Sequence, residues 1–565
     1  MTDEDILLLF SIENLRDIKE QFDQKVPLMP SQMLRLLLLS AIVIIGHTYL
    51  ERSVDAAEKN ATLSPSQQQS MQAARQKAAW KKRRIIFNND GNEPVYSLKE
   101  ATPQALLDVR TSPLKGSQVD AIFYCTWSSG FSYFTHDTKV GNVFTETANK
   151  LSNNKTAELI QNGHDPLTVM SDWCKGNDIE LFWSFRMNDT HDASSAWYGP
   201  LLFPPLKKEH PEWLVGSAKE RPKNGRWTAV DFTHEEICDL AYCYVEEVCR
   251  NYDVDGVELD FFRHLNYFKR VSWGEPAGNL ELSRLNDLMR RIRTMADEVG
   301  HQRGRPILIA IRVPDSVEYA RVLGLDVETW LKEDLVDIMT VTGYFRLNPW
   351  KESVELGHKY QVPVYAGLSE SRQKDQRARK VYASTEGFRG RAMNAWSQGI
   401  DGIYLFNSFN PRHPLWRELG DPTQLQSLPK VYFTSARGYA SVNSWWKKGS
   451  SYMNRDILTP DHPRVVRPGK SVSVTLPVGE NPVETGATLN LKVRFKALPQ
   501  IKEELIVKLN GEVVPLHAGE EHFLSGKIKP GFVRTGENQI EFTLASAAAL
   551  PVVVEDLQLW INYAE

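Results

Sequence analysis

Two carboxylates two residues apart, Glu258 and Asp260, stand in the stretch DVDGVELDFFRH, Asp253 to His264. The run reads as a short buried strand that follows an Asp-Gly turn. Side chains on a strand alternate between its faces, so Val257 and Leu259 point one way and the two acids the other. Charges on an otherwise apolar strand are costly unless they are paired or used. A second stretch, QGIDGIYLFN (Gln398 to Asn407), repeats the frame with Tyr404 in place of Glu258 and Phe406 in place of Asp260. The Asp-Gly start and the apolar face recur and are therefore structural. The acids do not recur, so the fold does not need them, and they are the candidates for chemistry.

Cleaving a glycosidic bond needs two carboxyl groups, one to protonate the leaving oxygen and one to act as nucleophile or to activate water. Their surroundings must push their pKa values apart. Asp260 falls last on the inward face of its strand, and Glu258 lies roughly 6.6 Å deeper, two residues of about 3.3 Å each. A third carboxylate, Glu370, ends VPVYAGLSES (Val362 to Ser371). Either strand acid could pair with Glu370, or the two could pair with each other. Retention and inversion stay open, because the spacing fixes no separation.

Around these acids the strand ends carry the candidate substrate-binding residues: Asn88, Asp90, Trp127, Arg186, Asn188, Asp189, His191, Arg263, His264, Arg312, Tyr344 and Asn407. Arg186 and Arg312 could clamp a substrate carboxylate or sulfate, or form salt bridges with Glu258 or Asp260. His191, His264 and Asp189 could hold a metal, but their spacing is unspecific and hydrogen bonding to substrate is the expectation. Trp127 and Tyr344 are either sugar platforms or packing residues. No Gly-rich phosphate turn follows any strand, and no cofactor or metal is expected.

Such residues need a scaffold. From Arg83 to about residue 430, short β-rich runs alternate with helical patterns, which indicates βα units and a parallel sheet. The predicted strands are Arg83–Asp90, Val119–Trp127, Ile179–Asp189, Asp255–Phe262, Pro306–Val313, Val336–Phe345, Val362–Ser371 and Asp401–Asn410. Helical patterns include Glu235–Tyr252, Leu280–Val299 and Arg377–Gln398. Eight strands with intervening helices give the fold class: a (βα)8 TIM barrel, with its site at the carboxyl ends of the strands. The long connection Asp192–Thr233, with Trp197, Tyr198, Trp213 and Trp227, could wall a cleft. Residues 58–82 read as a linker or frayed helix, 83–462 as the barrel, and 463–565 as an all-β, jelly-roll-like sandwich. In the tail, Asn510-Gly511 marks a hairpin; the sandwich either binds glycan or buttresses the barrel.

Composition bounds the rest. The 565 residues suffice for two or three domains, one of them large. A net charge of −4 argues against nucleic acid as a partner. The basic run Lys81-Lys82-Arg83-Arg84 reads as a solvated strand start. Residues 1–57 form an extension in which the apolar run Met33–Gly46 has the length of a signal-peptide core, with Val54-Asp55-Ala56 as a cleavage site. Export is expected, with translation starting at Met33, or anchoring through an uncleaved segment. Five cysteines without a CxxC pair predict no obligatory disulfide.

VDGVELDFFRH, FNNDG on the first strand, and a third strand ending in Arg, Asn, Asp and His together resemble the glycosyl hydrolase-like family 10 barrels. The resemblance covers about residues 83–430. It implies a TIM barrel with glycosidase-type chemistry and makes Asp260 the catalytic carboxylate. Asp260 followed by His264 also resembles the α-amylase-type strand, from which this sequence departs by having Glu258 where that pattern has Arg. The expectation is a glycoside hydrolase acting on a poly- or oligosaccharide. The alternatives are a non-catalytic carbohydrate-binding barrel and a polysaccharide lyase with Tyr344 or His191 as base.

Overall fold

The computed structural model describes residues 63–563 apart from 485, 498–503, 520–521 and 549. Met33–Gly46 and the cleavage motif lie outside the described residues. No helix of the described residues is long and apolar enough to cross a membrane.

Eight parallel strands close into a barrel in sequence order: β1 (Ile85–Asn89), β2 (Val119–Tyr124), β3 (Glu180–Arg186), β4 (Gly256–Asp260), β5 (Leu308–Val313), β6 (Ile338–Val341), β7 (Val364–Leu368) and β8 (Gly402–Leu405). All eight fall within the stretches predicted and are shorter; in all but β5, which loses only its first two residues, the carboxyl end leaves the sheet to form a loop. Their apolar runs are buried on both faces, as parallel strands covered by helices require.

The barrel floor explains the recurring aspartate. Beside the start of each even strand an aspartate accepts an amide at the start of the odd strand before it. Asp120 accepts from Arg84 N at 2.7 Å, Asp255 from Leu181 N at 2.8 Å, Asp337 from Ile309 N at 2.7 Å and Asp401 from Val364 N at 2.7 Å. Each acid also meets a basic side chain: Arg84, Arg305, Arg75 with Arg293, and His358 respectively. The glycine that follows in β4 and β8 is enforced by packing. A Cβ on Gly402 would stand 2.2 Å from the Arg83 carbonyl oxygen, and one on Gly256 2.5 Å from that of Leu308.

Of the two readings of residues 58–82, linker or frayed helix, the structure has a helix, α1, over Pro65–Ala79. Its apolar content is too low to signal a core face. It is fixed by Arg75, which pairs with Asp297, Asp334 and Asp337. The basic run after it is not solvated throughout: Arg83 is fully buried, donating to the carbonyls of Ala78 and Ala79 and pairing with Glu180. Helices α2 (Glu235–Asn251) and α3 (Asn279–Gln302) match the predicted amphipathic stretches. The stretch Arg377–Gln398 contains two helices, α4 (Gln376–Tyr382) and α5 (Thr385–Trp396), broken where Ser384 caps the second.

The C-terminal domain is an antiparallel two-sheet sandwich. It begins before the predicted boundary: β9 (Lys430–Tyr432) pairs with the last strand, Val552–Asn562. Asn510-Gly511, both at positive φ, turn between Leu505–Leu509 and Glu512–Val513 as predicted. The sandwich docks on the barrel through α4 and α5, with Tyr382 donating to Asp556 and Asn394 Nδ2 donating to the Pro477 carbonyl at 3.1 Å. The five cysteines are free thiols, three of them on α2.

Candidate active site at the carboxyl end of the barrel

Glu258 sits in the centre of the barrel with no exposed surface. Its Oε2 accepts from Ser184 Oγ of β3 at 2.5 Å and from the Tyr404 hydroxyl of β8 at 3.0 Å, and Oε1 has no partner. Burial first, and the neighbouring Asp260 carboxylate second, lift its carboxyl to about 7. Two hydroxyl donors and no cation in contact leave this acid with a proton available near neutrality.

Asp260, two residues above, is held differently. Arg312, its partner in register on β5, donates Nε to Oδ1 at 2.8 Å and Nη2 to Oδ2 at 2.6 Å. The amides of Phe262 and Arg263 add 2.9 and 3.0 Å bonds to Oδ1. Four N–H donors fix this group as a carboxylate in one orientation. The guanidinium of Arg312 lies on the Phe406 ring, 4.1 Å from its centre. Arg312 is thus committed to Asp260 and is not a free clamp for substrate.

A second cluster lies beside the first. Arg186 donates to Asp90 at 2.5 Å and to the Trp127 carbonyl at 3.1 Å, and stands 3.6 Å from Asp189. It too is committed, as the salt-bridge alternative has it, but to Asp90 and Asp189 instead of the β4 acids. Burial opposes ionisation of Asp189. The His191 ring 2.7 Å away, then His264 and Arg186, nevertheless hold its carboxyl well below the usual carboxylate range.

Arg263 Nη2 donates to His191 Nε2 at 3.0 Å, so the ring proton of His191 is on Nδ1, facing Asp189. His264 Nδ1 accepts the Thr190 amide at 3.1 Å, which puts its proton on Nε2. Ligand atoms of Asp189, His191 and His264 lie within 4.8 Å of one another, the spacing of a metal site. His191 Nδ1 is nonetheless spent on Asp189 and His264 Nδ1 on the Thr190 amide, and a guanidinium touches His191, which repels a cation. The donor set fits a hydrogen-bond network better than a metal.

Arg263 is the arginine of this group that forms no ion pair with a described carboxylate. Burial, then Arg186, bring its pKa down to about 10. Its guanidinium lies between the rings of Tyr344 and Phe406, at 5.7 and 5.5 Å, and its Nε is buried without a partner.

Other predicted residues do other work. Asn188 is structural: it donates to the carbonyls of Val230 and Asn266 and accepts the Val230 amide, pinning the long connection after β3. Trp127 is packed edge-on against Phe144 and Tyr96, not presented as a platform. Tyr344 stacks on Phe262 and is covered by Arg372 at 4.4 Å. Asn88 donates weakly to Ser184 Oγ at 3.4 Å, and Asn407 follows β8 in a left-handed conformation. Glu370 does not join the buried acids. β7 ends at Leu368, and beyond it the Glu370 carboxylate turns to Arg379 at 3.3 Å and Arg372 at 3.8 Å, 42 % exposed.

Sequence reasoning missed Ser184, whose signal was its inward position two residues before Arg186, and the buried pair Asp192–Lys207 at 2.7 Å, which ties the long connection down. It also expected a cleft walled by this connection. Asp260 is 2 % exposed, Arg263 8 % and Tyr344 7 %, so the mouth is closed by its own side chains.

No protein-family model matches the sequence, and no curated protein matches it. Solved structures similar to it include a family GH36 α-galactosidase from Geobacillus stearothermophilus, at 12% identity and a TM-score of 0.34, over 82% of this chain and 56% of that one. Another is a cycloisomaltooligosaccharide glucanotransferase from Paenibacillus, at 9% identity and a TM-score of 0.33, over 85% and 57%. A third is the PgaB (BpsB) glycoside hydrolase domain from Bordetella bronchiseptica, at 12% identity and a TM-score of 0.40, over 60% and 99%. The chain thus spans little more than half the length of the first two.

Proposed function

We propose that this chain is a carbohydrate-active barrel, a glycoside hydrolase in which Glu258 carries the proton and Asp260 the charge. One observation supports this above the others: two carboxyl groups on one strand are held in opposite environments. Glu258 lies under hydroxyl groups with its carboxyl lifted by burial, while Asp260 is clasped by Arg312 and two amides. Such a division is what acid and base roles in one site require. The substrate is a poly- or oligosaccharide, and the resemblance to glycosyl hydrolase-like family 10 barrels belongs to this reading. Arg263, without a carboxylate partner, takes over the recognition of substrate oxygens first assigned to Arg186 and Arg312. Substrate reaches Asp260 once the Arg263 side chain turns away from Tyr344 and Phe406. Export through Met33–Gly46 belongs to the same proposal, and cell fractionation tests it.

A specific observation favours one rival, a carbohydrate-binding barrel without turnover: neither acid is exposed, and every hydrogen bond of Asp260 is internal. Reducing-end release from a panel of neutral, amino- and uronate-containing polysaccharides separates the two. Hydrolysis that falls by ~10²-fold or more in Asp260→Asn and Glu258→Gln, with glycan binding kept, supports the enzyme. Binding without release from any polymer leaves the silent barrel, and products absorbing as unsaturated uronates indicate a lyase.

A further inference from the structure

Four arginines that the site does not use converge elsewhere. Arg346 follows β6, Arg391 lies on α5, and Arg437 and Arg455 belong to the connection between β9 and the next sandwich strand, Arg464–Val466. With Trp350 they line a cavity of ≈ 70 Å³, several times the ~10–15 Å³ that one water needs.

None of the four forms an ion pair with a described carboxylate. The acids nearby are engaged: Asp315 by the amides of Leu347 and Asn348, Asp456 by the Thr475 amide and Arg464, and Glu370 by Arg372 and Arg379. Arg437 donates to the Gly343 carbonyl and Ser369 Oγ, and Arg455 to the Thr434 carbonyl. Four further donors are buried without any partner: Arg346 Nε, Arg391 Nη1, Arg455 Nε and Trp350 Nε1. Burial and neighbouring guanidinium groups depress the pKa values of Arg346, Arg391 and Arg437. Arginine does not give up its proton in a protein, so the cluster is a buried positive charge without a counter-charge among the described residues, which is costly unless a ligand supplies one. Guanidinium forks match the oxygens of a phosphate or sulfate. Arg346, Arg455 and Pro477 also line a wider groove of ≈ 780 Å³ that offers a way in.

We propose that the cavity between Arg346, Arg391, Arg437 and Arg455 binds a compact oxyanion, phosphate or sulfate, either free or carried on a glycan. The inference stands whether or not the barrel is a hydrolase.

The test is thermal unfolding of the full chain in chloride, with millimolar sulfate or phosphate added at constant ionic strength. The wild type should show a saturable rise in Tm of about 2–5 °C. Arg391→Met and Arg455→Met should lose that rise, yet in chloride alone be at least as stable as the wild type, because each removes an unpaired charge. A rise no larger than an equal ionic strength of chloride gives, or one that both variants retain, overturns the site. Should a variant not fold, calorimetric titration of the wild type with phosphate decides: saturable binding supports the site and its absence refutes it. A sulfated oligosaccharide that binds more tightly than inorganic sulfate identifies the source as glycan, and the reverse order identifies the free ion.

Discussion

Tyr404 donates its hydroxyl to Glu258 at 3.0 Å, from β8 to β4 across the barrel. The two occupy the same place in the two Asp-Gly frames of the sequence, and the closed sheet brings these equivalent positions face to face. One frame supplies the acid and the other its hydrogen-bond donor.

Glu258 gives stability a particular pH dependence. Its carboxyl is lifted from 4.5 to about 7 in the folded chain. Between those values the folded state keeps a proton that the unfolded state releases, so stability falls as pH rises through that window and levels off above it. The loss approaches roughly 3 kcal/mol. Urea unfolding from pH 4 to 8 should show this slope in the wild type and a shallower one in Glu258→Gln, where Asp556, lifted to about 6, still contributes below pH 6. Tyr404→Phe, which removes a donor to the anion, should extend the upper edge of the window to higher pH.

The Arg312–Asp260 pair should behave as a buried unit. Removing one partner strands the other's charge, at a cost of about 3–5 kcal/mol. Arg312→Met alone and Asp260→Asn alone should therefore each destabilise strongly, while the double variant regains a large part of the loss. Chemical denaturation of the four proteins measures the coupling, and additive losses would show that the two side chains act independently.

The connection after β3 is held by Lys207 Nζ on Asp192 at 2.7 Å, both side chains fully buried, with Thr228 adding a 2.6 Å bond. Burial raises the Asp192 carboxyl against the pull of Lys207. Lys207→Met should release the loop before the barrel unfolds. Limited proteolysis should then cut within residues 193–233 at a rate at least ~10-fold higher, with little change in the barrel's far-UV signal.

The barrel was legible because its cues are local: apolar runs of strand length, helical periods between them, and the repeated Asp-Gly start. The acids Glu258 and Asp260 stood out because the second frame lacks them. What escaped depends on register and distance. Arg312 faces Asp260 because β4 and β5 pair with those residues opposite each other, and no single stretch encodes that pairing. Glu370 was placed with the acids by extending β7 three residues too far. Trp127 sits at φ 60°, just past β2, where alternation no longer predicts direction. Helix α1 is polar along most of its length and is held by one arginine whose partners lie more than 200 residues away.

Gly402 tests the account of the barrel floor. It follows Asp401, whose carboxylate accepts the Val364 amide, and lies against the Arg83 carbonyl oxygen on one side and the Tyr365 ring on the other. A methyl group there would meet backbone at 2.2 Å, and Arg83 has little room to retreat, because its fully buried side chain is tied to the carbonyls of Ala78 and Ala79 and to Glu180. Gly402→Ala should therefore lose about 1–3 kcal/mol through overpacking. Gly531→Ala, where the added Cβ meets nothing within 4 Å, should stay within about 0.5 kcal/mol of the wild type. Equal stability of the two variants in guanidinium unfolding would mean that the glycine after the recurring aspartate is not set by close packing, and the shared frame of β4 and β8 would need another cause.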